Sequence, residues 1–174
     1  MAGIYGIDPI FTYNYDDNTM NNFNSCQKIL TYPKESLMYY LEENHPIFCE
    51  LIRIANYQGF FSDMQFRITL FLPTEESLKQ LKLENFDIDA AKKFIDYHSM
   101  NGYFPQSILM TSPYQELQSK IKGQTIIGAL YYLKNTKKET ILLNKTSYIQ
   151  EFDKISKNGI AHIIDRPLEF PDFL

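Results

Sequence analysis

The side chains with reactive potential are few: three histidines, two cysteines and some paired carboxylates. His162 lies inside the apolar stretch "NGIAHIIDRP", residues 158–167. Alternate residues of a strand share a face, so Ile160, His162 and Ile164 point one way and Ala161, Ile163 and Asp165 the other. An imidazole works as acid or base only when a partner lies within about 3 Å. The nearest carboxylate in sequence, Asp165, is on the wrong face. The reading taken is a half-buried imidazole bonded to backbone that braces the last strand. The rival is a hydrolase-type enzyme in which His98 and His162 meet a carboxylate in one pocket. His98 follows a helical run, where an imidazole is well placed against the negative end of the helix. His45 precedes Pro46 in a turn and is expected at the surface.

Motif chemistry points the same way. The sequence holds no G-x-G-x-x-G, no P-loop, no H-E-x-x-H and no G-x-S-x-G. The pairs Asp16–Asp17, Glu42–Glu43 and Glu75–Glu76 sit in a polar leader or on helices, where neighbours in sequence do not converge on one point. Cys26 and Cys49 lack metal-ligand spacing and read as free thiols. The expectation is no enzyme, no catalytic residue, no metal and no cofactor. Asn144-Lys145-Thr146 fits a glycosylation sequon and is read as chance.

Charge and hydropathy bound the partners. A net charge of −4 argues against nucleic acid, which requires a basic face. The longest apolar run, "TIIGALYYL", falls well short of the ~20 residues that span a bilayer, so direct membrane insertion is not expected. The start lacks a basic, then apolar, leader pattern. Synthesis in the cytosol without a signal peptide is the corresponding expectation.

The elements that would position these residues divide at about residue 32. Residues 1–32 are Asn-rich without a sustained period, yet carry Tyr5, Ile10, Phe11, Tyr13, Tyr15 and Phe23. They read as an extended arm whose side chains fill pockets on a partner. From residue 33 helices begin. "PKESLMYYLEEN" spaces Leu37, Tyr40 and Leu41 helically. Pro46 opens a second helix that Gly59 is expected to stop. "RITLFL" reads as a strand with Ile68, Leu70 and Leu72 on one face. Thr74 caps "EESLKQL". "DIDAAKKFIDYH" is a helix with Ile88, Ala91, Phe94 and Ile95 on its buried stripe. "SILMT" is expected as a strand, and "SPYQ" at 112–115 as a helix start of capping-box form. "QTIIGALYYL" and "ETILLN" are two strands joined by "KNTKK", "TSYIQEF" a third, and Asn158-Gly159 a tight turn into the last. Tyr39, Tyr40, Tyr131 and Tyr132 read as core or rim. Helices first and strands later give an α+β fold.

Three blocks of this sequence resemble a known family. "ITLFLPTEESLKQL" resembles the first box of fasciclin-like (FAS1) domains. "FIDYHSMNG" resembles the family's Tyr-His segment, here Tyr97-His98. "FDKISKNGIAHIIDRPLEFP" resembles its final box. Together they cover roughly residues 46–171 and assign 33–174 to one FAS1-like domain. The resemblance implies a wedge of two small β-sheets flanked by short helices, and adhesion or protein–protein binding outside cells rather than catalysis. It also implies that Tyr97 and His98 contact a partner. Combined with the arm, the expected function is a non-enzymatic interaction module in a multi-chain assembly. A minor capsid or virion protein is one setting and a cell-surface adhesion domain the alternative, the latter favoured by a Cys26–Cys49 bridge or a glycan on Asn144.

Overall fold

Local capping starts the helical part. The Ser36 hydroxyl accepts the Tyr39 N–H at 3.1 Å and begins α1, Leu37–Asn44, which buries Leu37, Met38 and Leu41. The computed structural model describes residues 32–169. By contacts the chain forms two units, Met1–Tyr32 and Pro33–Leu174. The arm residues Tyr5, Ile10, Phe11, Tyr13, Tyr15 and Phe23, and Cys26, therefore lie outside the described residues.

Pro46 opens α2, Pro46–Ala55, as expected. Its stop differs. Asn56 takes the left-handed conformation at φ 63° and ends the helix there, because Asn tolerates that region nearly as well as Gly. Gly59 instead lies inside a short α3, Gln58–Ser62. Strand β1, Ile68–Pro73, runs to Pro73, and the Thr74 hydroxyl accepts the Ser77 N–H to cap α4, Glu75–Leu78. Asp87 caps α5, Ile88–Tyr97, which leads directly into β2, Ser99–Asn101; Ala91, Phe94 and Ile95 are buried as expected, but Ile88, in the first turn, is 52% exposed.

Two expectations fail in the next stretch. "SILMT" is not a strand: Gln106–Leu109 forms α6, whose first N–H is taken by the Asp153 carboxylate at 2.9 Å. "SPYQ" does not start a helix: Tyr114–Gln118 is strand β3, paired antiparallel with β4, Thr125–Leu133. A ladder of backbone bonds outweighs one local capping signal. Strands β5, Lys138–Leu143, β6, Ser147–Ser156, and β7, Gly159–Ile164, follow as expected.

The seven strands form one ladder in the order β2-β1-β7-β6-β5-β4-β3. The two sheets expected from the sequence share β6. Its first residues pair with β5 through Leu142↔Tyr148 and Leu143↔Ser147, and the strand pairs along its length with β7. Irregular register at Ile149/Glu151 and Glu151/Lys154 lets β6 serve both halves. The central strands β1 and β7 are parallel and buried on both faces, as a covered parallel pair should be. One core cluster takes Phe71 and Ile164 from one half, and Leu117, Ile126, Ile141 and Leu143 from the other. The ladder thus folds over its own core. Its two end strands also approach: the Lys120 N–H, just beyond β3, donates to the Ser99 carbonyl of β2 at 2.8 Å.

The Asn158-Gly159 pair is more than a turn. Asn158 is fully buried. Its Oδ1 accepts the Leu37 N–H at 2.7 Å, and its Nδ2 donates to the Phe61 and Asp63 carbonyls. Gly159 does not need a positive φ. It is needed for space, since a Cβ there would stand 2.9 Å from the Ile68 carbonyl oxygen.

Candidate functional site

The helix end at His98 and the strand at His162 put both imidazoles inside the fold, each 0% exposed. Each is held by backbone at both nitrogens. In His98 the Nδ1–H donates to the Phe94 carbonyl at 2.8 Å, and Nε2 accepts the Leu168 N–H at 2.9 Å. The ring stacks on Phe94 at a centroid distance of 4.4 Å. His162 has the opposite tautomer. Its Nε2–H donates to the Phe104 carbonyl at 2.8 Å, and Nδ1 accepts the Asp153 N–H at 3.1 Å. Both rings are therefore neutral. Neither can take up a proton without losing a bond to backbone.

The electrostatics follow from burial. Loss of water pushes His98 down to about 4, a shift the Phe94 bond offsets only in part. Burial also lowers His162, against the raising effect of the Phe104 bond and the Asp153 carboxylate. That carboxylate stands 4.0 Å from Nδ1, but its Oδ1 already accepts the Gln106 N–H. His162 is thus bonded to backbone, in agreement with the sequence reading, but it is fully rather than half buried because β7 is covered on both faces. The enzyme reading needs the two imidazoles free in one pocket, and each is spent on separate backbone groups.

His45 corrects an expectation. It is 9% exposed rather than at the surface, with Nε2 3.3 Å from the Tyr40 hydroxyl and Nδ1 without a hydrogen-bond partner among the described residues. Packing of α1 against α2 encloses the turn that carries it. Glu75 and Glu42, from two of the acidic pairs, have structural roles, while Asp16 and Asp17 lie outside the described residues. The Glu75 carboxylate accepts the Ile47 and Phe48 N–H groups and caps α2 from outside. Glu42 pairs with Arg53 at 2.6 Å. Neither role is legible in the sequence, since both partners are remote or on another helix. Among the described residues no three His, Cys, Asp or Glu groups cluster as metal ligands, and no helix is long and apolar enough to cross a membrane.

Of the residues expected to touch a partner, the two within the described residues, Tyr97 and His98, are not at the surface. Tyr97 is 2% exposed, and its hydroxyl accepts from Asn144 Nδ2 at 2.9 Å. His98 is enclosed as described. Direct contact through either ring would require the fold to open. Asn144 itself is committed: its Oδ1 accepts the Ile127 N–H at 2.8 Å, so a glycan on Nδ2 would replace the bond to Tyr97. Cys49 is a buried free thiol, held up at about 12 by burial.

What the fold does offer is surface. Tyr114, Tyr131 and Tyr132 are 56%, 43% and 53% exposed. A cleft of about 590 Å³ is lined by Lys138 and Glu139 of β5 and Tyr148 and Gln150 of β6, and a second of about 550 Å³ by Tyr39, Tyr40, Tyr103 and Ile155. Neither His98 nor His162 lines either cleft.

The model of the fasciclin domain family matches residues 43–170. The FAS1 domain pair of the insect cell adhesion molecule Fasciclin I superposes with a TM-score of 0.62 at 18% identity, over 79% of this chain and 52% of that one. The chain spans about half the length of that structure. No curated protein matches it.

Proposed function

The chain belongs to the fasciclin domain family, and from that premise we propose that it is a protein-binding module of the adhesion type, with no catalytic role assigned to its histidines. The observation that supports this most is the state of His98 and His162. The groups best suited to chemistry are spent holding backbone, while aromatic side chains stand at the surface. A rigid scaffold with exposed tyrosines suits binding, because tyrosine gives large contact area at low entropic cost.

The insect relative is a cell adhesion molecule, and a cell-surface or extracellular setting is the one adopted. The virion setting has no support in the family match or the structural likeness and yields to it. Residues 1–32 remain the proposed grip on a partner, through Tyr5, Ile10, Phe11, Tyr13, Tyr15 and Phe23.

The test is direct. Beads coated with the full chain should adhere to cultured cells well above albumin-coated beads. Replacing Tyr5, Phe11, Tyr13, Tyr15 and Phe23 by serine should reduce adhesion without changing the unfolding midpoint. Adhesion at the albumin level would end the reading. Unchanged adhesion by the serine variant would remove the arm from it.

A further inference from the structure

The β4–β5 hairpin outruns the sheet that carries it. On one side β3 pairs with β4 no further than Tyr114↔Ala129, followed by a bond from the Leu130 N–H to the Pro113 carbonyl at 3.0 Å. On the other side β6 pairs with β5 only at Leu142 and Leu143, followed by a bond from the Thr140 hydroxyl to the Ile149 carbonyl at 2.5 Å. Residues 131–139 are left as a two-stranded ribbon, held by Tyr131↔Thr140, Tyr132↔Glu139 and Leu133↔Lys138. Leu133 is half-buried and the rest of the ribbon is exposed. Successive strand residues point to opposite faces, so the Tyr131 and Tyr132 rings stand on the two sides of the ribbon, 43% and 53% exposed. Lys134, Lys137 and Lys138 surround the turn, and none pairs with a carboxylate among the described residues. Glu139 is the ribbon's one opposing charge. A positive tip therefore projects from a chain whose net charge is −4.

Charge and shape together say what meets this tip. The unpaired lysines call for an anionic partner. The two rings decide its form. A flat protein surface laid on the ribbon covers Tyr131 or Tyr132 and leaves the other in water. The headgroup layer of a bilayer surrounds the tip and takes both. Tyrosine suits that layer, with an apolar ring and a polar hydroxyl. Lysine suits it too, since its stem lies along apolar surface while the ammonium stays with phosphate. Each lysine near an anionic leaflet strengthens binding about fivefold. Depth is limited by the backbone. The outer edges of a two-stranded ribbon carry N–H and C=O groups without strand partners, which hydrocarbon does not tolerate. The tip therefore stops among hydrated headgroups and does not cross.

We propose that the β4–β5 ribbon docks this domain on an anionic phospholipid surface, with Tyr131 and Tyr132 among the headgroups and Lys134, Lys137 and Lys138 on the phosphates. This contact needs no protein partner, so it stands or falls separately from protein binding.

The full chain should co-sediment with vesicles of phosphatidylcholine containing about one-third phosphatidylserine, and not with phosphatidylcholine alone. Raising salt from about 0.1 to 1 M, which shortens screening from ~10 to ~3 Å, should release it. Lys134→Gln, Lys137→Gln and Lys138→Gln together should weaken binding about a hundredfold. The triple variant Lys34→Gln, Lys82→Gln, Lys122→Gln changes net charge equally, at exposed sites off the ribbon, and should bind nearly as the natural chain does. The sequence has no tryptophan, so Tyr131→Trp and Tyr132→Trp each supply a single reporter. Emission of both should move to the blue on anionic vesicles. If either alters the circular dichroism spectrum, the two lysine variants decide. No binding to anionic vesicles overturns the proposal, as does equal binding to neutral ones or an equal loss in both lysine variants. A blue shift at only one of the two positions indicates one-sided cover and overturns it as well. Retention on an immobilised sulfated polysaccharide without vesicle binding would give the ribbon to a glycan and overturn it equally.

Discussion

The Leu168 N–H donates to His98 Nε2 at 2.9 Å, tying the segment after the last strand to the end of a helix far earlier in the chain. A protonated ring cannot accept that bond. The folded value of His98, about 4, lies below the ordinary unfolded value near 6.5. A depressed histidine stabilises fully above the unfolded value, and the contribution is lost as pH falls from there toward 4. His98 alone should cost about 2 kcal/mol between neutral pH and pH 5, with His162 adding in the same direction. Urea midpoints across pH 7.5 to 5 check this. A flat profile would remove the coupling, and His98→Gln should shallow it.

Asn158 joins α1 to the segment before β1 through three buried bonds. Asn158→Ala would leave the Leu37 N–H and the Phe61 carbonyl unpaired in the interior. A loss of roughly 3 kcal/mol is expected, read as a lower denaturant midpoint. Asn158→Asp should also destabilise, because it keeps the acceptor for Leu37 but loses the donor. Wild-type stability in either variant would show the bonds to be unimportant.

Tyr97→Phe separates a structural from a contact role. The hydroxyl's partner is Asn144 within the fold, so the variant should lose about 1 kcal/mol of stability. Partner binding, measured well below the unfolding midpoint, should not change. Lost binding with unchanged stability would reinstate Tyr97 as a contact residue.

Cys49 should resist alkylation. Its thiol is buried and held near 12, so the reactive thiolate is scarce at pH 8. Iodoacetamide should label Cys49 in the native chain only at the rate of unfolding, and promptly in urea. Fast native labelling would place the residue at the surface.

Several of these features are legible in the sequence itself, and the reasons the others are not are physical. The cap at Thr74 and the strands 124–133 and 159–164 are legible because their signals are local: one hydroxyl ahead of a helix, one period of two. The class of His162 is legible for the same reason, since its strand faces follow from alternation. Its bonds to Phe104 and Asp153 are not, because the groups come from other elements. "SPYQ" misleads because a capping box describes only what four residues prefer alone, and the pairing with β4 lies beyond that window. His45 misleads likewise: the turn looks exposed until α1 and α2 close over it.

The contact between Lys120 and Ser99 brings together the two ends of the strand ladder. Little chain separates those ends, whereas most of the domain lies between the two central strands, whose register sets Ile68 beside Gly159. The entropy of loop closure rises with the intervening length. During folding, the seam can form cheaply and early, and the middle of the ladder is the costliest place to close. The slow event in assembling this protein is then the arrival of its last strand beside its first.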